Sequence, residues 1–231
     1  MKTLAIITAR GGSKRIPRKN IKEFNGKPIM AYSIEAAVGS GVFDRVMVST
    51  EDEEIADIAK RYGAEVPFYR SEQTAGDYAT TSDVLNEVIA EYEKRGEQFD
   101  IIACIYPTAP FITAGRLKEA VEALQKSDAD SLIPVVRFSF PPQRAMEIRD
   151  GYLVFRQPEY INTRSQDLTP HYHDVGQFYV FRTESFVKNQ RIMAGKILPM
   201  ELPETEVQDI DNPVDWQLAE LKYKLMSEQN G

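Results

Sequence analysis

Six cations and no carboxylate fall between Arg10 and Lys22, in a chain whose formal charge is −7. The run Arg10-Gly11-Gly12-Ser13-Lys14-Arg15-Ile16-Pro17-Arg18-Lys19-Asn20 follows directly on the apolar stretch Leu4 to Ala9. Glycine lets backbone N–H groups come close to an anion, and Lys and Arg neutralise its charge. The competing reading is a solvated basic loop. Placement decides between them, because α/β proteins bind ligands at the carboxyl ends of their strands, and this loop leaves what reads as the first one. Gly11, Gly12 and Gly26 do not give the GxxxxGK[ST] spacing, and no GxGxxG is present, so neither a Walker-type site nor a standard dinucleotide site is expected here. A Gly-Gly turn with several cations suits the phosphates of a mononucleoside triphosphate.

The second group of interest is Val207-Gln208-Asp209-Ile210-Asp211-Asn212-Pro213. In an extended segment, Asp209 and Asp211 lie on one face. Two carboxylate oxygens beside bound phosphates are what Mg²⁺ favours, with water completing its shell. The bland alternative is that Asp211 or Asn212 caps the helix that opens at Pro213 while Asp209 is solvated. Both roles can hold together, one side chain capping and another binding metal. His171 and His173 form a His-x-His pair, but no cysteine or third histidine supports a zinc site, and substrate contact or packing is the expectation. Cys104 sits in the apolar run Ile101–Ile105 and reads as a core thiol.

Apolar runs alternate with helical patterns over the first ~135 residues, the mark of βαβ units around a mostly parallel sheet with helices on both faces. Strands are expected at Leu4–Ala9, Arg45–Thr50, Ala64–Tyr69, Phe99–Tyr106 and Ser131–Val136. Helices are expected at Pro28–Val38, Glu51–Tyr62, Thr81–Lys94, Thr113–Lys126 and Pro213–Met226, the last carrying Trp216 into the core. From Phe138 the alternation stops. Asp150-Gly151 predicts a hairpin turn between Ala145–Arg149 and Tyr152–Arg156. The span 138–173 reads as an arm inserted into a single domain of residues 1–231, its Tyr152, Phe155 and Tyr160 suited to another subunit. The sheet is expected to resume at Gly176–Phe181.

With 42% apolar and 27% charged residues, the chain has the composition of an ordinary globular protein. Its acidity argues against general affinity for nucleic acid or anionic membranes. No apolar run approaches the ~20 residues needed to span a bilayer, and Leu4–Ala9 is too short for a secretory leader. A cytoplasmic setting is the expectation.

Several of these motifs, in order and over nearly the whole chain, resemble the CMP-sialic acid synthetase family, the acylneuraminate cytidylyltransferases. They are Ala9–Lys14 with Lys19-Asn20, Val48-Ser49-Thr50-Glu51-Asp52, Pro107-Thr108-Ala109-Pro110 and Asp209-Ile210-Asp211. Within that family, Cys104–Phe111, Gln143-Arg144-Ala145, Thr163–Asp167 and His173–Tyr179 look most like the branch acting on pseudaminic acid. The resemblance implies a Rossmann-like nucleotidyltransferase fold, a homodimer, and CTP with Mg²⁺. It implies that Arg10, Gly11, Gly12, Ser13, Lys19 and Asn20 hold CTP with help from Arg70 and Thr81, and that Asp209 and Asp211 carry the metal. Tyr106, Gln143, Arg144, Arg164, His173 and Gln177 are then expected on the sugar side, with the arm residues reaching a partner's site. Salt bridges are the competing role for the arginines. Relatives using sialic acid have glutamine where this chain has Tyr106, which puts N-acetylneuraminate in doubt.

The expected reaction is transfer of CMP from CTP to the anomeric hydroxyl of a nonulosonic acid, pseudaminic acid being favoured, with release of pyrophosphate. Arg10 and Lys19 would stabilise the leaving group, and Asp211, or a metal-bound hydroxide near it, is the candidate base. The alternatives are the same chemistry on N-acetylneuraminate, legionaminate or 3-deoxy-manno-octulosonate, a non-catalytic nucleotide-sugar binder, and a glycosyltransferase. The last is disfavoured because its Asp-x-Asp usually follows a mid-chain strand.

Overall fold

The computed structural model describes residues 1–229. Strand β1 (Thr3–Thr8) leads into the basic loop. A two-residue hairpin, β2 (Glu23–Phe24) and β3 (Lys27–Pro28), precedes helix α1 (Ile29–Ser40). There follow β4 (Arg45–Ser49), α2 (Glu53–Arg61), the single turn α3 (Glu72–Ala75), α4 (Thr81–Lys94), β5 (Ile101–Ile105), α5 (Ala114–Lys126) and β6 (Ser131–Arg137). The hairpin β7 (Met146–Arg149) and β8 (Tyr152–Phe155) stands apart. The chain then runs through β9 (Tyr172–Asp174), β10 (Phe178–Arg182), α6 (Thr183–Asn189), β11 (Ile197–Glu201) and α7 (Pro213–Gln229).

The sheet order is β11-β6-β10-β5-β1-β4, with β9 paired to β6. Neighbours β4, β1 and β5 are parallel, as are β6 and β11, whereas β10 runs antiparallel between β5 and β6, and β9 antiparallel to β6. Alternation along β1 splits the core. Ala5 and Ile7 join the layer under α1, α2 and α5, while Leu4 and Ile6 join the layer under α4 and α6. A third cluster lies beyond the sheet: Ile16, Phe24, Ile29, Tyr32, Phe111, Ile210, Trp216 and Ala219. Phe24 meets Tyr32, Trp216 and Tyr223 edge-on at 5.5 to 5.7 Å between ring centres.

Most expected elements fall within a few residues of their places. Ala64–Tyr69 is the exception: it forms only an isolated bridge, Glu65 to Met47, because its backbone departs from β4 after one pairing. The hairpin turn is as read. Asp150 (φ 50°) and Gly151 (φ 83°) both sit in the left-handed region, as a two-residue turn matched to the strand twist requires. The chain rejoins the sheet at Tyr172, just inside the expected arm. No described helix is long and apolar enough to cross a membrane.

Trp216 ties α7 to this third cluster, is nearly fully buried, and donates its indole N–H to Glu220 at 3.0 Å. Trp216→Ala is expected to cost about 3–5 kcal/mol, the usual loss for a buried aromatic, read as a lower urea midpoint.

Candidate active site

A cavity of about 540 Å³ opens at the carboxyl ends of β1, β4 and β5. Its walls include Arg10, Ser13, Lys14, Arg15, Lys19 and Asn20 from the basic loop, Arg70, the segment from Gly76 to Thr81, and Tyr106. The loop is built before any ligand arrives. Asn20 is buried and donates its amide to the Arg10 carbonyl at 2.8 Å. The Ala9 N–H reaches the Ser49 carbonyl at 3.0 Å, extending the β1–β4 pairing to the loop's first residue.

The two glycines do less for a ligand than their type suggests. The Gly11 N–H already donates to Glu51 Oε1 at 2.7 Å, and the Ser13 N–H to the Gly11 carbonyl at 3.0 Å. Neither Gly11 nor Gly12 lines the cavity. A Cβ at Gly11 would stand 2.7 Å from Asp52 Oδ2, so glycine is needed there for packing against α2, while Gly12 faces open space. The loop's cationic side chains, rather than its glycine amides, face the cavity.

The six cations divide by task. Arg18 ion-pairs with Asp52 and Glu54, and Lys22 lies 4.4 Å over the Trp216 ring, so these two fasten the loop to α2 and α7. The other four reach the cavity. Arg10 and Lys14 share Asp77 at 3.3 and 2.5 Å, and Arg15 binds Asp211 Oδ2 at 2.8 Å. Lys19 Nζ donates to the Ile210 carbonyl at 2.7 Å and lies 4.0 Å from Asp211 Oδ1. These carboxylates occupy positions that phosphate oxygens could take. The pairs are largely exposed, and exposed pairs are weak enough to exchange.

Asp209 and Asp211 therefore meet the basic loop across the whole length of the chain. Ile210 between them is 1% exposed and shares its cluster with Ile16, which is 4% exposed. The helix cap is made by Asn212: its Oδ1 accepts from the Val214 and Asp215 N–H groups at 2.9 and 3.1 Å. Asp215 returns the favour, accepting from the N–H groups of Asp211 and Asn212. Neither Asp209 nor Asp211 is therefore spent on the cap. Burial first, and the neighbouring Asp211 second, push the Asp209 carboxyl above the usual carboxylate range. Lys19 is lowered by burial, against the pull of Asp211 and Asp209. Two neighbouring carboxylates, one of them partly desolvated, fit a divalent cation. Among the described residues no group of three or more His, Cys, Asp or Glu converges as a metal site, so further ligands would come from the nucleotide and water.

Arg70 is buried, with Nε on Ser49 Oγ at 3.1 Å and Nη2 on the Ser49 carbonyl at 2.8 Å; burial lowers its pKa. Thr81 opens α4, whose capping box between Thr80 and Asp83 turns the helix's positive end toward the same space. A second cavity of about 450 Å³ lies at the end of β6 and includes His173, Asp174, Gln208, Asp209 and Lys222.

Sugar-side expectations are placed unevenly. Tyr106 lines the first cavity and His173 the second. Gln177 is 2% exposed, lines neither, and donates its amide to the Glu206 carbonyl at 2.6 Å, a bracing position. Gln143, Arg144 and Arg164 stay in the arm, away from both cavities. Gln143 donates to the Thr169 carbonyl at 2.8 Å, Arg144 reaches Ser165 Oγ at 3.2 Å, and Arg164 pairs with Asp167 at 2.8 Å. His171 and His173 each direct Nδ1 at a backbone carbonyl, of Thr169 and Asp174. Arg15 and Asp77 line the first cavity and Asp174 the second, and the sequence did not single them out. Arg15 lay in plain view within the basic run, whereas nothing local marks Asp77.

A family model described as cytidylyltransferase matches residues 4–220. A pseudaminic acid cytidylyltransferase from Campylobacter jejuni is 40% identical over 229 residues, 99% of each chain. A CMP-N,N'-diacetyllegionaminic acid synthase from Legionella pneumophila is 36% identical, again over 99% of each. Among solved structures, a CMP:2-keto-3-deoxy-manno-octonic acid synthetase complexed with CTP superposes with a TM-score of 0.69 at 18% identity, covering 99% of this chain and all of that one.

Asn212→Ala is expected to lower stability by about 1 kcal/mol through loss of the cap. Asp211→Ala, which removes only an exposed ion pair, is expected to shift the urea midpoint far less.

Proposed function

The chain belongs to the cytidylyltransferase family, and from that premise we propose that it transfers CMP from CTP to the anomeric hydroxyl of pseudaminic acid, releasing pyrophosphate. One observation carries the reading. The cationic loop and the two aspartates, some 190 residues apart, meet at Arg15–Asp211 and Lys19–Ile210 beside a cavity large enough for a nucleotide.

CTP binding is then an exchange of partners. Its phosphates take Arg10, Lys14, Arg15 and Lys19 from Asp77 and Asp211, and Asp211 is released to join Asp209. Arg70, fixed on Ser49, and Thr81 at the head of α4 complete the nucleotide contacts. Asp209 and Asp211 would hold Mg²⁺, which when bound supplies neutralising charge to the phosphates. The anomeric oxygen forms a bond to the α-phosphorus as the bond to the bridging oxygen of pyrophosphate breaks in line with it. Arg10 and Lys19 stabilise the charge gathering on that leaving group. The hydroxyl proton passes to a base, for which Asp211 is the candidate.

Pseudaminic acid is favoured by the 40% identity to an enzyme named for it, while Tyr106 puts N-acetylneuraminate in doubt. We also propose that residues 138–173 form a dimerisation arm. Phe140, Ile148, Tyr152 and Leu153 are 67–87% exposed there, and Gln143 Oε1 is buried with no partner. A second subunit would cover the first four and bring Arg144 and Arg164 near a neighbouring site.

Pyrophosphate release from CTP should be fastest with pseudaminic acid when it is compared with N-acetylneuraminate, legionaminate and 3-deoxy-manno-octulosonate. Asp211→Ala should lose at least ~100-fold in kcat with its melting transition retained, a loss of the order seen on removing one charge-stabilising group. Equal turnover with all four acids would refute the substrate assignment, and a fully active Asp211→Ala would remove that residue from the reaction.

A further inference from the structure

Tyr106 and Asp174 stand in the walls of two different cavities, and a single buried side chain, Tyr179, joins them. Tyr179 is 4% exposed and donates its hydroxyl to Asp174 Oδ2 at 2.6 Å. The other carboxylate oxygen, Oδ1, accepts from the Gly176 N–H at 3.0 Å. On its near side, the Tyr179 ring meets Tyr106 edge-on, centres 5.6 Å apart and planes at 79°. Burial raises both phenols, and Thr81 and Tyr179 act in the opposite direction on that of Tyr106.

The Tyr106 backbone has no freedom to compensate. Its N–H donates to the Gln177 carbonyl at 2.8 Å, and its carbonyl accepts from Ser33 Oγ at 2.8 Å. The ring can therefore be aimed only through its side-chain torsions, and Tyr179 limits these. A phenol has one proton. Tyr179 gives that proton to Asp174, which holds the ring in place. The carboxylate thus fixes the Tyr179 ring against which Tyr106 packs.

We propose that Asp174 is a positioning residue that selects the acceptor acid: acting through Tyr179, it fixes Tyr106 at the boundary between the nucleotide cavity and the second cavity beside Asp209. This rests on the cytidylyl transfer proposed above. The ligand it discriminates is the hydroxylated or acylated body of the sugar acid, since the nucleotide phosphates are held on the other wall by the basic loop. An amide at position 174 offers one acceptor oxygen where two donors, the Tyr179 hydroxyl and the Gly176 N–H, now converge.

The test is steady-state kinetics with pseudaminic acid and CTP for the unmodified enzyme, Asp174→Asn, Tyr179→Phe and the double variant. The KM for the acid should rise about tenfold in each single variant, the worth of one charge-assisted hydrogen bond, with the KM for CTP unchanged. The double variant should be no worse than either single one, because both break the same chain. Unchanged KM for the acid, a parallel rise in both KM values, or additive losses in the double variant would each overturn the proposal. Should Asp174→Asn fail to fold, Tyr179→Phe, which removes only an oxygen, decides by the same split. Absence of turnover by the unmodified enzyme would overturn the transfer reading as well; turnover with unaffected variants overturns this inference alone.

Discussion

Two isoleucines hold the ends of this chain together. Ile16 lies between Arg15 and Pro17 in the basic loop, Ile210 lies between Asp209 and Asp211, and both are buried in one aromatic cluster with Phe24 and Trp216. Each contributes on the order of 1.5–3 kcal/mol by leaving water, more than exposed ion pairs at the mouth of a cavity can supply. Burial of the isoleucines also decides direction. With Ile210 turned inward, the side chains on either side of it turn outward, which is why two like charges can be kept side by side. Apolar packing thus pays for an electrostatically unfavourable arrangement that a phosphate-bound cation would relieve.

On the proposed function, the cations are pre-positioned by carboxylates that stand where the phosphates of CTP would go. Arg10 and Lys14 rest on Asp77, and Arg15 on Asp211. Such an arrangement keeps long side chains near their working geometry at small cost, because each pair is exposed and readily exchanged. The staples behind them are different. Arg18 on Asp52 and Glu54, and Lys22 on Trp216, serve the fold and never face the cavity. One run of like charges therefore contains two populations, and only three-dimensional placement separates them.

Much of this was legible in the sequence, for physical reasons that can be named. Strands β1, β4, β5 and β6 are apolar runs bounded by charge, and α4 begins at a Thr-x-x-Asp box, so periodicity and capping both mark them. Asp150-Gly151 announced its hairpin, and Asn25-Gly26, which makes the small β2–β3 hairpin, carried the same unused signal. What escaped was set by long-range contact. Ala64–Tyr69 has strand composition but lacks a neighbour to pair with beyond Glu65. Asp77 joins the candidate site because the segment after α3 brings it to Arg10 and Lys14, and Gln177 became a brace because Glu206 presents a carbonyl to it. Gly11 looked like a phosphate turn and is instead a packing glycine against Asp52.

On the proposed function, the basic loop and the paired aspartates serve the same triphosphate. This shared role is tested most directly by calorimetric titration of CTP, with and without Mg²⁺, into the unmodified protein and an Asp209→Asn/Asp211→Asn variant. Mg²⁺ is expected to strengthen CTP binding to the unmodified protein and to have no such effect on the variant, whose metal-free affinity is equal or greater because Asp211 no longer competes for Arg15. An undiminished Mg²⁺ effect in the variant would contradict it.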